Sequence, residues 1–266
     1  MNNQKLLVIK IGGNSIDNSN ELSRFIENIA TIETSFILVH GGGKLATDLA
    51  EKLNIPQQLI DGRRITDAET IKIATMVYAG YINKNIVALL QKNNKNSIGL
   101  SGADANLIQT KKRIHPTIDY GFVGDLKENS VNTNFLENLI NFGLTPVINA
   151  ITHDGNGQLL NTNADSIANA LAVSLASKYE VSLLYCFEKK GVLYDPSNDD
   201  SVIETLNHQQ FEQLKKEGII SKGMLPKLDN CFNALQNGVK EIGILKATNI
   251  LSFLNNTTHE YTRIIE

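Results

Sequence analysis

Two glycine-rich turns, each closing an apolar run, constrain this sequence more than any other feature. The first ends the run at residues 6–9 and reads Lys10-Ile11-Gly12-Gly13. The second ends the run at residues 36–39 and reads His40-Gly41-Gly42-Gly43. A buried strand that ends in consecutive glycines leaves backbone N–H groups open to close approach, which phosphate binding requires. The two turns therefore predict a site for a phosphorylated ligand and a second anion.

The composition excludes several classes of protein. The chain has 266 residues, 42% of them hydrophobic and 20% charged, with a formal net charge of −3. That length holds one large α/β domain or two lobes, and the charge gives no indication of nucleic acid or a membrane surface as partner. Cys186 and Cys231 have no CxxC spacing, and no signal-peptide pattern precedes the first glycines, so we expect a cytoplasmic protein. No stretch approaches the roughly 18 apolar residues of a membrane span.

Strand-like and helix-like patterns alternate along the chain. Apolar runs rich in β-branched residues occur at residues 6–11, 36–39, 97–100, 145–148, 181–186 and 240–245. Runs of this kind, separated by segments of helical period, predict a mainly parallel sheet with helices on both faces. The expected fold class is α/β, a three-layer αβα sandwich around a mainly parallel central sheet.

Two further segments carry local predictions. Thr66-Asp67-Ala68-Glu69 has the pattern of a capping box and predicts a long helix to about Gln91. That helix is apolar on more than one face, which predicts a subunit interface. Residues 113–126 lack helical period and predict a hairpin that projects from the sheet.

Several polar residues occupy unusual positions. Lys10 lies inside an apolar strand, so its ammonium must leave the core or find an anion. Lys227 follows Gly223, Met224 and Pro226 into a helix, where a positive charge in the first turn opposes the helix dipole and also calls for an anion. Asn163 is the expected N-cap of a helix to about residue 178.

The polar residues near Asn163 and before the long helix can be explained by local structure as well as by function. Asp165 complements the dipole of the helix that Asn163 caps, and Asn161 is left free by that explanation. Arg63 and Arg64 precede a helix start, where an arginine suits bidentate binding of a substrate carboxylate. Each of these residues taken alone also fits a solvated turn or an exposed side chain.

The sequence fits other types of site less well. Gly41, Gly43 and Ala46 match the dinucleotide pattern G-x-G-x-x-A, and Asp61 has roughly the spacing of its acidic partner, but it lies in a poor candidate strand. No Walker A pattern occurs. The histidines show no metal-ligand spacing, and no Ser/His/Asp or Cys/His nucleophile pattern stands out.

Taken in order, five motifs resemble the amino acid kinase family. They are Val8-Ile9-Lys10-Ile11-Gly12-Gly13, Val39-His40-Gly41-Gly42-Gly43, Gly62-Arg63-Arg64-Ile65-Thr66, Asn161-Thr162-Asn163-Ala164-Asp165 and Gly223-Met224-Leu225-Pro226-Lys227. Each is weak alone, but five in the family's order and approximate spacing are specific. Within the family the chain is similar to the members that phosphorylate an N-acylated glutamate in arginine biosynthesis.

The resemblance implies a mechanism and a set of residue roles. The side-chain carboxylate of N-acetyl-L-glutamate would attack the γ-phosphorus of ATP, with Mg²⁺ carried by the nucleotide. Lys10, Lys227 and Asp165 are the implied catalytic residues: the lysines neutralise phosphoryl charge and the carboxylate orients them. Backbone N–H groups of Gly12, Gly13, Gly42 and Gly43 are expected to hold phosphoryl oxygens and substrate. The remaining implied contacts are Gly42, Gly43, Arg64 and Asn161 for the acceptor, and Gly12, Gly13, Gly41, Asn163, Glu188, Gly223 and Met224 for the nucleotide.

The resemblance also implies an organisation in two lobes. The chain would be a single domain, with residues 1–178 binding the acylglutamate and forming the dimer, and residues 179–266 binding ATP. The first strand starts within a few residues of Met1, whereas the arginine-regulated hexameric relatives carry an extra N-terminal helix. A homodimer without arginine feedback is therefore expected, with N-acylglutamate and ATP as its small-molecule substrates.

The sequence departs from the family in one place and leaves alternatives open. Glu188 lies where many relatives have an aspartate in a Ser/Thr-Asp-Val-x-Gly turn. A charged acyl group such as succinyl would need a further cation, which residues 111–113 could supply. Carbamate kinase, glutamate 5-kinase and uridylate kinase remain alternatives within the family, and a catalytically inactive nucleotide sensor remains an alternative outside the enzymes.

Overall fold

A large, mainly parallel sheet lies at the centre of the computed structural model, which describes residues 4–60, 63–220, 223–258 and 260–266. The strands of the structure are β1 (Lys5–Ile11), β2 (Phe36–His40), β3 (Leu59–Ile60), β4 (Arg63–Arg64), β5 (Ser97–Leu100), β6 (Lys111–Lys112), β7 (Val123–Asp125), β8 (Thr145–Ile148), β9 (Ile151–His153), β10 (Leu159–Thr162), β11 (Glu180–Phe187), β12 (Thr205–Leu206), β13 (Glu241–Lys246) and β14 (Tyr261–Ile264). Within the described residues the eight strands of the central sheet run in the order β12-β14-β13-β11-β1-β2-β8-β5. The only antiparallel pairing described in this sheet joins β13 to β14.

Helices cover the sheet, so the expected α/β class is confirmed. The α-helices are α1 (Asn14–Asp17), α2 (Ser19–Ala30), α3 (Gly43–Lys52), α4 (Ala68–Thr75), α5 (Asn83–Lys92), α6 (Thr133–Asn141), α7 (Ala164–Leu175), α8 (His208–Lys216), α9 (Leu225–Gln236) and α10 (Ile250–Asn255). The α7 helix packs on β1 and β11, and α9 packs on α7 and β13. These contacts bring the starts of α7 and α9 to the carboxyl ends of the central strands.

The six predicted strands are all present, each within one residue of its expected ends. Their side chains explain the agreement: from Leu6 to Ile11 every residue of β1 is buried, as a strand covered on both faces requires. Lys10 pairs in register with Tyr185 of β11 and with Val39 of β2. Both glycine turns therefore lie at the same edge of the sheet.

A second, four-stranded sheet, β6-β7-β10-β9, lies beside the first. The antiparallel pair β6–β7 contains the predicted hairpin, but that pair begins at Lys111 and is built into this sheet. The β10 strand pairs with β7 and leads directly into α7. The small sheet therefore positions Asn161 and Asn163 next to the glycine turns.

One continuous helix, Ala68–Lys92, joins α4 to α5 through the π-helical turn Met76–Ile82. By length and composition it could cross a membrane, with a mean hydropathy of 1.2 over its most apolar 18 residues, contrary to the expectation that no stretch approaches a span. Of that window 44% is buried, and a buried core helix passes the same test. Its α5 part packs on β5, β8 and α2.

The start of this helix corrects a prediction. Asp67, not Thr66, is the N-cap, and its carboxylate accepts a hydrogen bond of 2.8 Å from the N–H of Thr70. Thr66 is buried and donates its hydroxyl to the carbonyl of Arg64. The capping-box pattern was one residue out of register, because the hydroxyl is used to fix the chain before the helix.

Candidate active site

Lys10, Asp165 and Lys227 meet at the carboxyl ends of the central strands, and we call them the lysine–carboxylate cluster. The Lys10 ammonium lies 2.7 Å from Oδ1 of Asp165, and the Lys227 ammonium lies 3.1 Å from Oδ2. The residues come from β1, α7 and α9, 217 positions apart at the extremes (227 − 10). The anion that each lysine required is therefore one shared carboxylate.

Burial makes this cluster strongly interacting. Burial acts to raise the pKa of Asp165, but the Lys10 and Lys227 ammonium groups outweigh it and hold that pKa below its usual value. Burial lowers the pKa of Lys227, although Asp165 opposes this. Two cations share one anion, so the cluster carries an excess positive charge that suits a phosphoryl group.

Asp165 is placed by the start of α7. Asn163 is the N-cap of this helix, as predicted, and its side chain accepts a 3.0 Å hydrogen bond from the N–H of Ser166. Asp165 then lies in the first turn, where the helix dipole favours a carboxylate. The Tyr185 hydroxyl donates to the carbonyl of Asp165 at 3.3 Å and fixes the same turn from β11.

The first glycine turn serves Lys10 directly. A Cβ on Gly12 would meet the Lys10 ammonium, so only glycine leaves that group its position above the turn. The N–H of Gly12 donates to the carbonyl of Cys186 at 3.2 Å. In this structure the N–H of Gly12 therefore continues the pairing of β1 with β11, and its expected contact with phosphate stays a prediction. Gly13 has φ +47°, and Glu188 lies against it.

The second glycine turn begins α3. Gly42 is the N-cap residue with φ +152°, and a Cβ there would meet Ile82 and approach Tyr78 to 3.0 Å. Gly43 is the first residue of the helix, so N–H groups at this point have no intrahelical acceptor. The turn is thus held closely against the π-helical turn while its N–H groups face away from the helix.

His40 fixes the second turn from inside the core. It is fully buried, and its ring lies 2.9 Å from the Gly41 carbonyl through Nδ1 and 3.1 Å from the Asn83 amide through Nε2. The Asn83 amide also donates to the Val147 carbonyl. Since the amide nitrogen is a donor, Nε2 accepts and Nδ1–H donates, which describes a neutral ring. Burial lowers the pKa of His40 to about 4.

Arg64 lies beside the second turn, but its hydrogen bonds go to the protein. Its Nη2 donates to the Gly43 carbonyl at 2.7 Å and to the Thr47 hydroxyl at 2.8 Å, and its Nη1 donates to Gln57. Both Nη2 hydrogens are therefore used. In this arrangement the guanidinium braces the start of α3, and a bidentate substrate pair requires one of these bonds to be exchanged.

The second turn, the small sheet and the start of α7 enclose a cavity of about 230 Å³, which we call the glycine-turn cavity. Asn161 lines it and donates from Nδ2 to the Thr66 hydroxyl at 3.2 Å. Gly41 and Asn163, expected as nucleotide contacts, line this cavity with the predicted acceptor residues. Its full lining is Gly41, Gly42, Gly43, Leu59, Arg63, Arg64, Tyr78, Val123, Gly124, Ala150, Asn161, Thr162, Asn163 and Ala164.

Sequence reasoning missed several of these residues. Tyr78 lies in the long helix that was predicted to reach about Gln91, and Val123 and Gly124 belong to the hairpin region. Arg63 is exposed and lines the cavity, whereas Arg113 of the hairpin pairs with Asp125 through two bonds of 3.0 Å from Nε. The exposed cation at this cavity is thus Arg63, and residues 111–113 do not line it.

A second cavity, of about 340 Å³, is lined in part by Lys227, and we call it the Met224 cavity. Its lining is mostly apolar and includes Val192, Leu193, Ile220 and Ile244. Met224 lines this cavity, whereas Gly223 and Glu188 are absent from the lining. Ser221 and Lys222, which precede the motif at Gly223, and Asp61 and Gly62 before Arg63 lie outside the described residues.

A metal held by the protein itself does not fit the described residues. Among them no group of three or more histidines, cysteines, aspartates or glutamates could hold a metal ion. Asp17 has buried carboxylate oxygens without hydrogen-bond partners, but burial raises its pKa, although the charge of Lys44 opposes this.

Comparison with known proteins places this fold. Residues 5–246 match the amino acid kinase family. The chain belongs to that family. The chain is 52% identical over 263 residues to the acetylglutamate kinase of Cytophaga hutchinsonii, and the matched region covers 98% of this chain and 99% of the relative.

Solved structures agree with the family's fold. The crystal structure of smu.665 from Streptococcus mutans has a TM-score of 0.78 at 26% identity, and covers 98% of both chains. Carbamate kinase from Giardia lamblia bound to AMP-PNP has a TM-score of 0.71 at 15% identity, covering 99% of both chains. The expected amino acid kinase fold is thereby confirmed.

Proposed function

We propose that this member of the amino acid kinase family transfers the γ-phosphoryl group of ATP to the side-chain carboxylate of N-acetyl-L-glutamate in arginine biosynthesis. The relative at 52% identity is named for this activity. The observation that carries the proposal is the lysine–carboxylate cluster, in which two ammonium groups from β1 and α9 share Asp165. Lys227 of this cluster lines the Met224 cavity, and Ala164, next to Asp165 in the chain, lines the glycine-turn cavity.

The chemistry explains why the site needs cations and no general base. A glutamate side chain has a pKa of about 4.3 and is already an anionic nucleophile at neutral pH. The barrier is the approach of that anion to a polyanion, so catalysis consists of positioning and charge neutralisation. Lys10 neutralises the transferring phosphoryl group, Lys227 neutralises the leaving β-phosphate side, and Asp165 orients both.

Each of the two cavities binds a different substrate. The acylglutamate occupies the glycine-turn cavity, where Arg64 and Asn161 hold its α-carboxylate and amide, and the N–H groups of Gly42 and Gly43 hold its reacting end. ATP extends from Gly13 past Lys227, with its base in the apolar Met224 cavity. Residues 1–178 then form the acceptor lobe and residues 179–266 the nucleotide lobe. Mg²⁺ arrives bound to the ATP phosphates.

The assembly we propose is a homodimer through the helix at 68–92. Met76 is 56% exposed and Tyr81 is 67% exposed, whereas the other large hydrophobic side chains of this helix are buried or half-buried. Sedimentation should give a dimer that Tyr81→Asp dissociates, whereas Tyr194→Asp, at a similarly exposed tyrosine, leaves it intact. Hexamers would contradict the proposal. A cytoplasmic location is proposed on the two buried free cysteines.

The test is acyl phosphate formation, trapped as the hydroxamate. With ATP, N-acetyl-L-glutamate should give product, and free L-glutamate or carbamate should not. N-succinyl-L-glutamate is the informative comparison, because exposed Arg63 lines the cavity. No ATP-dependent product with N-acetyl-L-glutamate would refute the proposed substrate.

A further inference from the structure

Phe187 contacts the lysine–carboxylate cluster from β11. The Lys227 ammonium lies 3.5 Å from the centroid of the Phe187 ring, and the Lys10 ammonium lies 5.0 Å from it. The ring itself stacks on Tyr185, with centroids 6.1 Å apart and an interplanar angle of 6°. Phe187 is half-buried and also lines the Met224 cavity. A phenylalanine that served only to fill space would not require an ammonium over the face of its ring.

The Phe187 ring adds an attraction for the two ammonium groups of the cluster, which Asp165 alone does not balance. Two ammonium groups repel each other, and Asp165 supplies one negative charge for both. The face of an aromatic ring is electronegative, and its attraction for a cation grows as water is removed. Lys227 has only 21% of its side chain exposed, so little solvent competes with the ring.

The other groups that face Lys227 do not replace this contact. Asp165 from α7 attracts the ammonium, and Lys10 from β1 repels it. Cys231 lies on the same helix as Lys227, and burial raises the pKa of its thiol to about 12, so it is neutral near pH 7. Tyr185 presents its ring at 5.8 Å, well beyond Phe187.

We infer that Phe187 is a positioning residue for Lys227: its ring keeps the ammonium charged and beside Asp165, ready for the phosphate of an incoming nucleotide. This inference rests on the proposed phosphoryl transfer from ATP.

The kinetic test compares Phe187→Leu with Phe187→Tyr. Leucine keeps the apolar bulk and removes the ring face, whereas tyrosine keeps both. Phe187→Leu should lower kcat/KM for ATP about fivefold and leave KM for the acceptor unchanged. The alkaline limb of its pH profile should move down by about half a pH unit, because the charged ammonium loses an attraction. Phe187→Tyr should restore both values.

A second measurement reads Lys227 directly. Lysine labelled with ¹³C at Cε, with the Lys227 signal assigned by its loss in Lys227→Ala, gives the pKa of this ammonium by NMR. That pKa should fall in Phe187→Leu and return in Phe187→Tyr. Phe122→Leu is the matched control, since it removes a half-buried ring from below Lys112, at 5.3 Å, and should not change the pKa of Lys227.

The outcomes separate the inference from the proposed function. An alkaline limb and a Lys227 pKa that are the same in Phe187→Leu as in the wild type would overturn the role of the ring. Failure of Phe187→Tyr to restore the alkaline limb and the pKa of Lys227 would also overturn the role of the ring. A wild type without ATP-dependent acyl phosphate would refute the proposed function, while the NMR comparison would still decide whether the ring holds Lys227.

Discussion

The lysine–carboxylate cluster and the glycine-turn cavity are adjacent but are built on opposite principles. In the cluster, buried charges face one another and cations outnumber anions. In the cavity, a neutral buried histidine and an arginine bound to main-chain and side-chain oxygens fix the shape of a turn. The cluster provides positive charge for the reacting phosphoryl group, and the cavity provides a fixed shape for the acceptor.

The largest effect is expected in the charged region. Lys10→Ala or Lys227→Ala should lower kcat by about a thousandfold, because each removes a positioned cation from the transferring group. Stability should change little, since the lost ammonium also relieves repulsion. Lys215→Ala, an exposed lysine that pairs with Asp229, is the control and should keep wild-type turnover. Near-normal kcat in either variant would remove the electrostatic mechanism.

Asp165→Asn should come next, with kcat lower by about a hundredfold. The amide keeps the shape but no longer balances Lys10 and Lys227, which then repel each other out of position. The KM for the acceptor should stay within about twofold. Asp229→Asn, an exposed carboxylate on α9, tests whether charge loss alone matters. Equal losses in both variants would argue against a special role for Asp165.

In the cavity, Arg64→Ala should act on binding. The KM for N-acetyl-L-glutamate should rise by about tenfold to a hundredfold, as expected for losing hydrogen bonds to a charged group. The KM for ATP should not change. Arg24→Ala, at an exposed arginine of α2, is the control. A pure loss of kcat with an unchanged acceptor KM would move Arg64 out of the binding role.

The last prediction concerns the stability of the fold, which should change gradually with pH, and not the activity. Burial lowers the pKa of His40 from 6.5 to about 4, so between these values the unfolded chain binds a proton that the folded protein does not. The stability from neutral His40 is therefore complete above pH 6.5 and is lost as pH falls toward 4, by about 3 kcal/mol in total.

Urea unfolding of the wild type and His40→Asn at pH 7.5, 6 and 5 measures this term. The advantage of the wild type should shrink as pH falls, because asparagine does not titrate. His115→Asn removes an exposed histidine and should follow the wild type. A constant difference across the three pH values would show that His40 does not carry this dependence.

Much of the fold was predictable because the buried parallel strands have continuous apolar sequences. The strands that were missed, such as β9 and β14, are short or partly polar, and only pairing with distant segments makes them strands. The π-helical turn at Met76–Ile82 has no marker in the local sequence. Its effect is visible only where Ile82 and Tyr78 press on Gly42.

The site was predictable to different depths. The need of Lys10 and Lys227 for an anion followed from their positions, and the structure supplies Asp165 to both. The bonds of Arg64 to Gly43 and Thr47 could not be foreseen, because they join segments 17 to 21 residues apart through a turn of unusual backbone shape. Phe187 gave no signal, since a phenylalanine at a strand end is ordinarily packing.

The division between the two regions is tested most directly by combining Lys227→Ala with Arg64→Ala and measuring kcat and the KM for N-acetyl-L-glutamate in all four proteins. If charge and shape are separate, Arg64→Ala raises KM by the same factor in both backgrounds, and Lys227→Ala lowers kcat by the same factor in both. A coupling of more than about tenfold between the two substitutions would show that the regions act as one unit and would contradict the division.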